Sequence, residues 1–327
     1  MPQAAAYQIV KLANGMCSLR SLAQGETFHP VIGPVAEAEA LYVRQLRLPE
    51  RIGETNGEFV LWDVGLGAAA NALTALRAVR DHLAGPSAAA REIRAPKRLR
   101  LVSFDLNSDA LAFALQHSAE LDYLAGHETV LVELAQNHRV SFGDSKLQVE
   151  WSLELGDFPK LISNNRDNAP DESEHRSPIR RDSAVCRNAG SETGVPACLP
   201  APHAILFDPH SPGKNPEMWT LPLFTGLFRR LDPQRPCDLA TYTRSTLARV
   251  AMLLGGFFVG AGYPSGLKEE TTVAANRLER LDAPLDHRWL ERAKRSDGAE
   301  PLHEPVYRQR PLSPETWEKL RQHPQFH

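Results

Sequence analysis

The feature that most narrows the fold is a recurrence of short apolar runs separated by stretches of helical periodicity. From about residue 59 the runs are FVLWDV, LRLVSFD, KLQVEWSLEL, HAILFD, CDLATYT, GFFVGAG and EETTVAA, with amphipathic segments between most of the earlier ones. Strands covered by helices on both faces read as nearly unbroken apolar runs, so this pattern predicts a doubly wound α/β fold with a mostly parallel sheet. Ahead of it, YQIVKLANGMCSLRS alternates about Asn14-Gly15, which predicts a small N-terminal β hairpin with a type I′ turn. In VAEAEALYVRQLRL the residues Val35, Ala38, Leu41, Tyr42 and Leu46 recur at helical spacing. The expected organisation is a hairpin and helix over residues 1–55 packed on a main α/β domain at 56–276, then a charged C-terminal extension at 277–327 with a short helix at 314–323. Residues 163–200, rich in Asn, Ser, Asp, Arg and Pro, lack apolar periodicity and are expected to be a disordered insertion.

Composition removes several classes of function. The longest apolar runs, such as 250–261, are broken by glycines and fall short of the roughly 20 residues of a membrane span. The first ten residues lack the basic start and apolar core of a secretory signal, so a cytoplasmic protein is expected. Cys17, Cys186, Cys198 and Cys237 show no metal-binding spacing and read as free thiols, with no metal site. A net charge of −3 argues against a surface coated in positive charge for nucleic acid. Clusters at 91–100, 229–235 and 288–295 are either solvated charge runs or local basic patches.

The chemistry sits at strand ends. The first run leads into Asp63-Val64-Gly65-Leu66-Gly67-Ala68-Ala69 and then directly into a helix. A glycine turn lets backbone approach a ligand without Cβ interference, and the helix start supplies unpaired N–H groups. The same residues also suit a dinucleotide loop or a plain strand-to-helix turn. Asp105 ends the second run, where a carboxylate can accept hydrogen bonds from ribose hydroxyls. Asp63 ends the first, a place that dinucleotide folds usually keep neutral, and this asymmetry favours S-adenosyl-L-methionine over a nicotinamide. Asp157 after the third run is either a contact to an adenine amino group or an ordinary helix cap. The fourth run leads into Asp208-Pro209-His210-Ser211-Pro212-Gly213-Lys214-Asn215-Pro216-Glu217-Met218-Trp219. Methyl transfer to an amine needs a neutral nitrogen lone pair held in line with its N–H groups bonded. Asp208 and a proline-fixed carbonyl at Pro209 provide such acceptors, with His210 a candidate proton relay. Lys214 and Arg244 each follow a strand end on the ligand side of the sheet and are candidate contacts for substrate phosphates.

These residues resemble a known family: the methyltransferase half of the bifunctional tRNA 5-methylaminomethyl-2-thiouridine biosynthesis protein, and its stand-alone relatives. DPHSPGKNPEMW looks like that family's long signature at this strand end, and the glycine loop, HPVIGPVAEAEALYV and the segment Gly266, Lys268 and Glu269 support it. The likeness covers most of residues 28–276. It implies a seven-stranded Rossmann-like methyltransferase sheet, S-adenosyl-L-methionine as cofactor, and the 5-aminomethyl group of a wobble uridine in tRNA as substrate. It also implies substrate contacts at Asn215, Trp219 and Lys268. His210 stands where the family usually has an aromatic residue. No glycine fingerprint of a flavin-dependent oxidase follows, so a separate oxidase would have to supply the aminomethyl uridine. Alternative readings are an N-methyltransferase for a small-molecule or protein amine, a non-catalytic RNA-binding protein with a vestigial pocket, and, more distantly, a nicotinamide oxidoreductase.

Overall fold

The computed structural model describes residues 6–85, 95–164, 199–266 and 269–327. Residues 165–198 of the insertion expected at 163–200, residues 91–94 of the 91–100 basic cluster, Cys186, Cys198 and Lys268 lie outside the described residues.

Eight strands form the main sheet: β4 (Glu58–Val64), β5 (Lys97–Asp105), β6 (Arg139–Gly143), β7 (Leu147–Leu155), β8 (Ala204–Phe207), β9 (Asp238–Thr241), β10 (Phe258–Gly262) and β11 (Thr271–Ala275). Their order is β10-β11-β9-β8-β4-β5-β7-β6. β4 pairs in parallel with both β5 and β8, and the parallel ladder continues through β7 on one side and β9 on the other. β11 runs antiparallel between β9 and β10. Seven of these strands are the seven apolar runs of the sequence. The eighth, β6, is an antiparallel edge strand on β7 in which only Val140 is buried, so it carries no apolar run to betray it.

Period-two alternation on β4 feeds two separate cores. Phe59 and Leu61 enter one apolar cluster and Val60, Trp62 and Val64 the other; Leu99 and Leu101 of β5 divide from Val102 and Phe104 in the same way. The first cluster is closed by α1 (Pro34–Ala38), a π-helical stretch (Glu39–Arg44), α2 (Leu48–Glu54), α3 (Ala70–Ala84), α4 (Asp109–Gln116) and α5 (Glu128–Asn137). α6 (Phe158–Asn164), α7 (Leu221–Phe228) and α8 (Thr246–Leu254) close the second, together with α9 (His287–Lys294) and α10 (Pro314–Arg321) of the C-terminal segment. That segment is bound as well as packed: Leu221 N–H donates to Leu302 O at 2.8 Å, and Gln325 donates to and accepts from the backbone of Val259, each at 2.7 Å. Among the described residues no helix is long and apolar enough to cross a membrane.

The N-terminal element is a three-stranded antiparallel sheet, β1 (Tyr7–Lys11), β2 (Cys17–Ser21) and β3 (Glu26–Thr27). Its first turn is not the expected type I′. Lys11 pairs with Cys17, and of the loop residues between them only Gly15 takes a positive φ, +86°. The Asn14 side chain accepts from Met16 N and donates to Ile32 O, so Asn14 serves as a brace rather than as a left-handed turn residue.

Strand order reverses at β4, where the chain turns one way into β5 and the other into β8. Loops leaving the carboxyl ends of β4 and β8 therefore diverge, and the crevice between them is where an open α/β sheet takes its ligand.

Candidate active site

β4 passes into the glycine turn, in which Gly65, Gly67 and Ala69 all have positive φ, at +93°, +52° and +63°. The N–H groups of Gly65 and Leu66 both donate to Phe104 O, at 2.9 and 3.1 Å, which fixes the turn to β5. A Cβ on Gly65 would lie 2.7 Å from the Asp208 carbonyl oxygen. The glycine is thus required by conformation and by the closeness of the next loop. Gly67 sits under the Phe28 ring, which a Cβ there would meet at 3.0 Å.

A cavity of about 680 Å³ opens over this turn. Its walls are the glycine turn, the start of the loop after β5, the Gly156–Pro159 corner, the loop after β8 and, opposite them, the N-terminal sheet with the segment to Pro34. Asp105 lines it, accepting from Gly67 N at 2.8 Å and Leu106 N at 2.7 Å. Burial raises its carboxyl above the usual range, against the pull of those amides. Asp157 lines it too and also caps α6, accepting from Lys160 N at 3.1 Å.

Asp208, Pro209 and His210 line the cavity beside the glycine turn. Asp208 Oδ2 accepts from Asn71 Nδ2 at 2.7 Å and lies 3.9 Å from His29 Nε2, while the other ring nitrogen of His29 is 3.8 Å from Glu37. The Tyr42 phenol is buried beside this group, and burial together with the Asp208 charge pushes it well above its ordinary range. The turn's backbone is fastened from behind: Trp219 Nε1–H donates to His210 O at 2.8 Å and the Tyr242 hydroxyl to Pro209 O at 3.0 Å.

The remaining sequence candidates separate by position. Asn215 lines the cavity, and its buried Oδ1 has no hydrogen-bond partner among the described residues. Trp219 is wholly buried behind the wall, where it packs on Phe207 and Tyr242. Lys214 and Arg244 are exposed on the loops after β8 and β9. Asp63 is wholly buried and is not among the lining residues; its Oδ2 accepts from Ser103 Oγ at 2.9 Å, and that hydroxyl in turn accepts from Trp151 Nε1 at 2.9 Å. Sequence reading missed Asn71, His29, Glu37, Tyr42, Glu26 and Tyr242. His29, Glu37 and Tyr42 lie inside HPVIGPVAEAEALYV, a segment noticed only for its likeness and helical spacing.

Burial pushes the Asp63 carboxyl up to about 7, with the charges of Asp208 and Asp105 adding and the Ser103 bond opposing. The sign of the linkage is fixed by this. Between about pH 4 and about pH 7 the folded chain holds a proton that the unfolded chain has released, so stability falls as pH rises through that window. Asp63→Asn should abolish this part of the slope, so that the variant gains on the wild type by on the order of 3 kcal/mol between pH 4 and pH 7.5, at about 1.4 kcal/mol per pH unit. Urea unfolding at both pH values measures it; a constant difference would place the titration elsewhere.

Comparison with known proteins agrees with this geometry. Residues 192–277 match the model of an S-adenosyl-L-methionine-dependent methyltransferase family. The chain is 25% identical over 277 residues to the tRNA 5-methylaminomethyl-2-thiouridine biosynthesis bifunctional protein MnmC of Aeromonas hydrophila, covering 82% of this chain and 35% of that protein. The protein of the same name from Ectopseudomonas mendocina is 35% identical over 106 residues, which is 31% of this chain and 16% of that protein. The chain thus spans about a third of the length of the curated relative it matches over most of its residues. The crystal structure of MNMC2 from Aquifex aeolicus has the same fold, with a TM-score of 0.61 at 21% identity over 98% of this chain and 84% of that one. Strand order, glycine turn and sequence match together make the chain similar to S-adenosyl-L-methionine-dependent methyltransferases and, over 82% of its length, to MnmC.

Proposed function

We propose that the chain moves a methyl group from S-adenosyl-L-methionine to the amine of a 5-aminomethyl group on a modified wobble uridine of tRNA. The observation that carries the reading is the placing of Asp208 and Pro209 at the carboxyl end of β8, in contact with the glycine turn across the cavity floor. The residues present fit the cofactor. Gly65 and Gly67 offer bare backbone, Asp105 keeps spare lone pairs for a ribose diol, and the buried Oδ1 atoms of Asn71 and Asn215 lack hydrogen-bond partners among the described residues. Bound there, the cofactor supplies an electrophilic methyl on a sulfonium. The chain's own task is the nucleophile: Asp208 accepts an N–H of the amine and aims its lone pair, and the stiff Pro209 backbone holds that carboxylate in place.

Asp105→Ala should weaken cofactor binding by about 1.5–3 kcal/mol, the range for hydrogen bonds to a charged group. Calorimetry reads this directly, and unchanged affinity would remove Asp105 from the ribose site. The substrate is tested by incubating the protein with labelled S-adenosyl-L-methionine and undermethylated tRNA, then analysing nucleosides. Label in a methylaminomethyl uridine is expected. Affinity for tRNA should fall steeply with salt, and charge reversal at Lys214 or Arg244 should raise KM for tRNA alone. Unlabelled tRNA with labelled small amines would overturn the RNA half of the reading.

One observation favours that second reading, a small-molecule amine. Glu26, Glu37, Asp105, Asp109, Asp157, Asp208 and Glu217 all line the cavity, and no Lys or Arg does so among the described residues. The interior therefore suits a cation, and phosphates of a tRNA would have to stay on the outer loops.

A further inference from the structure

We propose that Glu26 and His210 form a carboxylate–imidazole dyad and that His210 Nε2 takes the proton which the substrate amine must lose. The proposal rests on the reading of the chain as an amine N-methyltransferase. Glu26 stands on β3, and its Oε2 lies 3.1 Å from His210 Nδ1. The same carboxylate accepts from Ser211 N at 3.3 Å and from Ser211 Oγ at 2.5 Å. A carboxylate can only accept, so this pairing puts a hydrogen on Nδ1 and leaves the lone pair of the neutral ring on Nε2. Among the described residues Nε2 makes no hydrogen bond, and the ring lines the cavity two residues beyond Asp208. Its backbone is tied by Trp219, and its ring lies beside Phe28, centroid to centroid 5.7 Å. The ring thus has a fixed backbone, a fixed tautomer and an open second nitrogen, the features of a positioned general base.

An alkylamine reaches the acid-lined cavity as its ammonium ion. One N–H bond breaks, the proton forms the Nε2–H bond of His210, and the electron pair stays on the amine nitrogen as the nucleophile. The imidazolium so formed faces the Glu26 carboxylate. As the new C–N bond forms, the methyl's former bonding pair leaves with sulfur, and the imidazolium afterwards gives its proton to water. Asp208 orients the amine through an N–H that it does not remove. His210 is then a catalytic residue and Glu26 a positioning residue.

The test has a readout that needs no cofactor. Ring-nitrogen NMR of the ligand-free protein should show His210 as the Nδ1–H tautomer. Glu26→Ala should lose that preference, and Glu26→Gln, which keeps an acceptor in place, should retain it. His210→Phe keeps a ring beside Phe28 without a lone pair and should lower kcat by about 10²-fold with cofactor affinity unchanged. Added imidazole should restore part of the rate to His210→Gly. A His210→Phe enzyme as fast as the wild type, or an Nε2–H tautomer in the wild type, would overturn the proposal. If the wild type methylates no amine, the functional reading falls and the base role with it, while the tautomer signal still reports the dyad, so the two failures are told apart.

Discussion

Asp208→Ala should cut kcat by about 10²-fold or more while the protein still binds S-adenosyl-L-methionine nearly as well as before. The backbone at this position continues a parallel ladder, Asp208 N–H to Val64 O at 2.9 Å, so the loop keeps its course without the side chain. Pro209 and His210 remain fastened through Tyr242 and Trp219. What is lost is an acceptor held by Asn71 and 3.9 Å from His29, in the lining of the cavity. On the proposed reading an amine can still enter, but its lone pair is no longer aimed. Single-turnover kinetics at saturating cofactor, with calorimetry beside it, separates the roles. Loss of cofactor binding with an intact saturated rate would assign Asp208 to the cofactor instead.

Gly65→Ala should cost the protein at least about tenfold in cofactor affinity and lower its melting temperature, and it should do so far more than Gly67→Ala. At φ +93° a side chain is strained, by about 1–3 kcal/mol, and the new Cβ would meet the Asp208 carbonyl at 2.7 Å. That neighbour is backbone and cannot rotate away. Either the glycine turn or the Asp208 loop must then move, and the two sides of the cavity part. Gly67 has φ +52°, in the left-handed well that alanine reaches for about 1 kcal/mol, and its neighbour is the Phe28 side chain. Equal effects of the two substitutions would mean that the contact with Asp208 does not hold the turn. Calorimetry and thermal melts of both variants decide it.

The contrast between these positions also shows what a sequence can disclose. Strands buried on both faces are visible as apolar runs, because burial dictates composition; β6 is invisible, because an edge strand with one buried residue has no such demand. Asp105 and Asp208 are legible because a carboxylate ending an apolar run has few structural reasons to be there. Glu26 is not legible. It meets His210 across 184 residues of chain, and only the fold brings β3 over the cavity. Asn71 looks like any residue of a first helical turn, yet it is the donor on Asp208. The hairpin misled in another way: Asn-Gly favours a two-residue turn locally, but the Ile32 carbonyl claims the Asn14 side chain and a longer loop results.

The bond between Gln325 and Val259 bears on how this protein behaves in a crowded solution. β10 is the last strand on its side of the sheet, and an open edge offers N–H and C=O groups to any passing chain. Here the groups of Val259 are already taken: Gln325 Oε1 and Nε2 imitate a neighbouring strand at 2.7 Å each, Leu285 N–H donates to the same carbonyl at 2.9 Å, and Ala261 N–H is bound to Ala283 O at 2.9 Å. The backbone of residues 283–285, which bridges β10 in antiparallel fashion at Gly260 and Pro284, and the Gln325 amide thus cover this stretch of the edge together. With the ladder groups of Val259 and the N–H of Ala261 taken, this stretch of β10 leaves little for a strand of another chain to pair with.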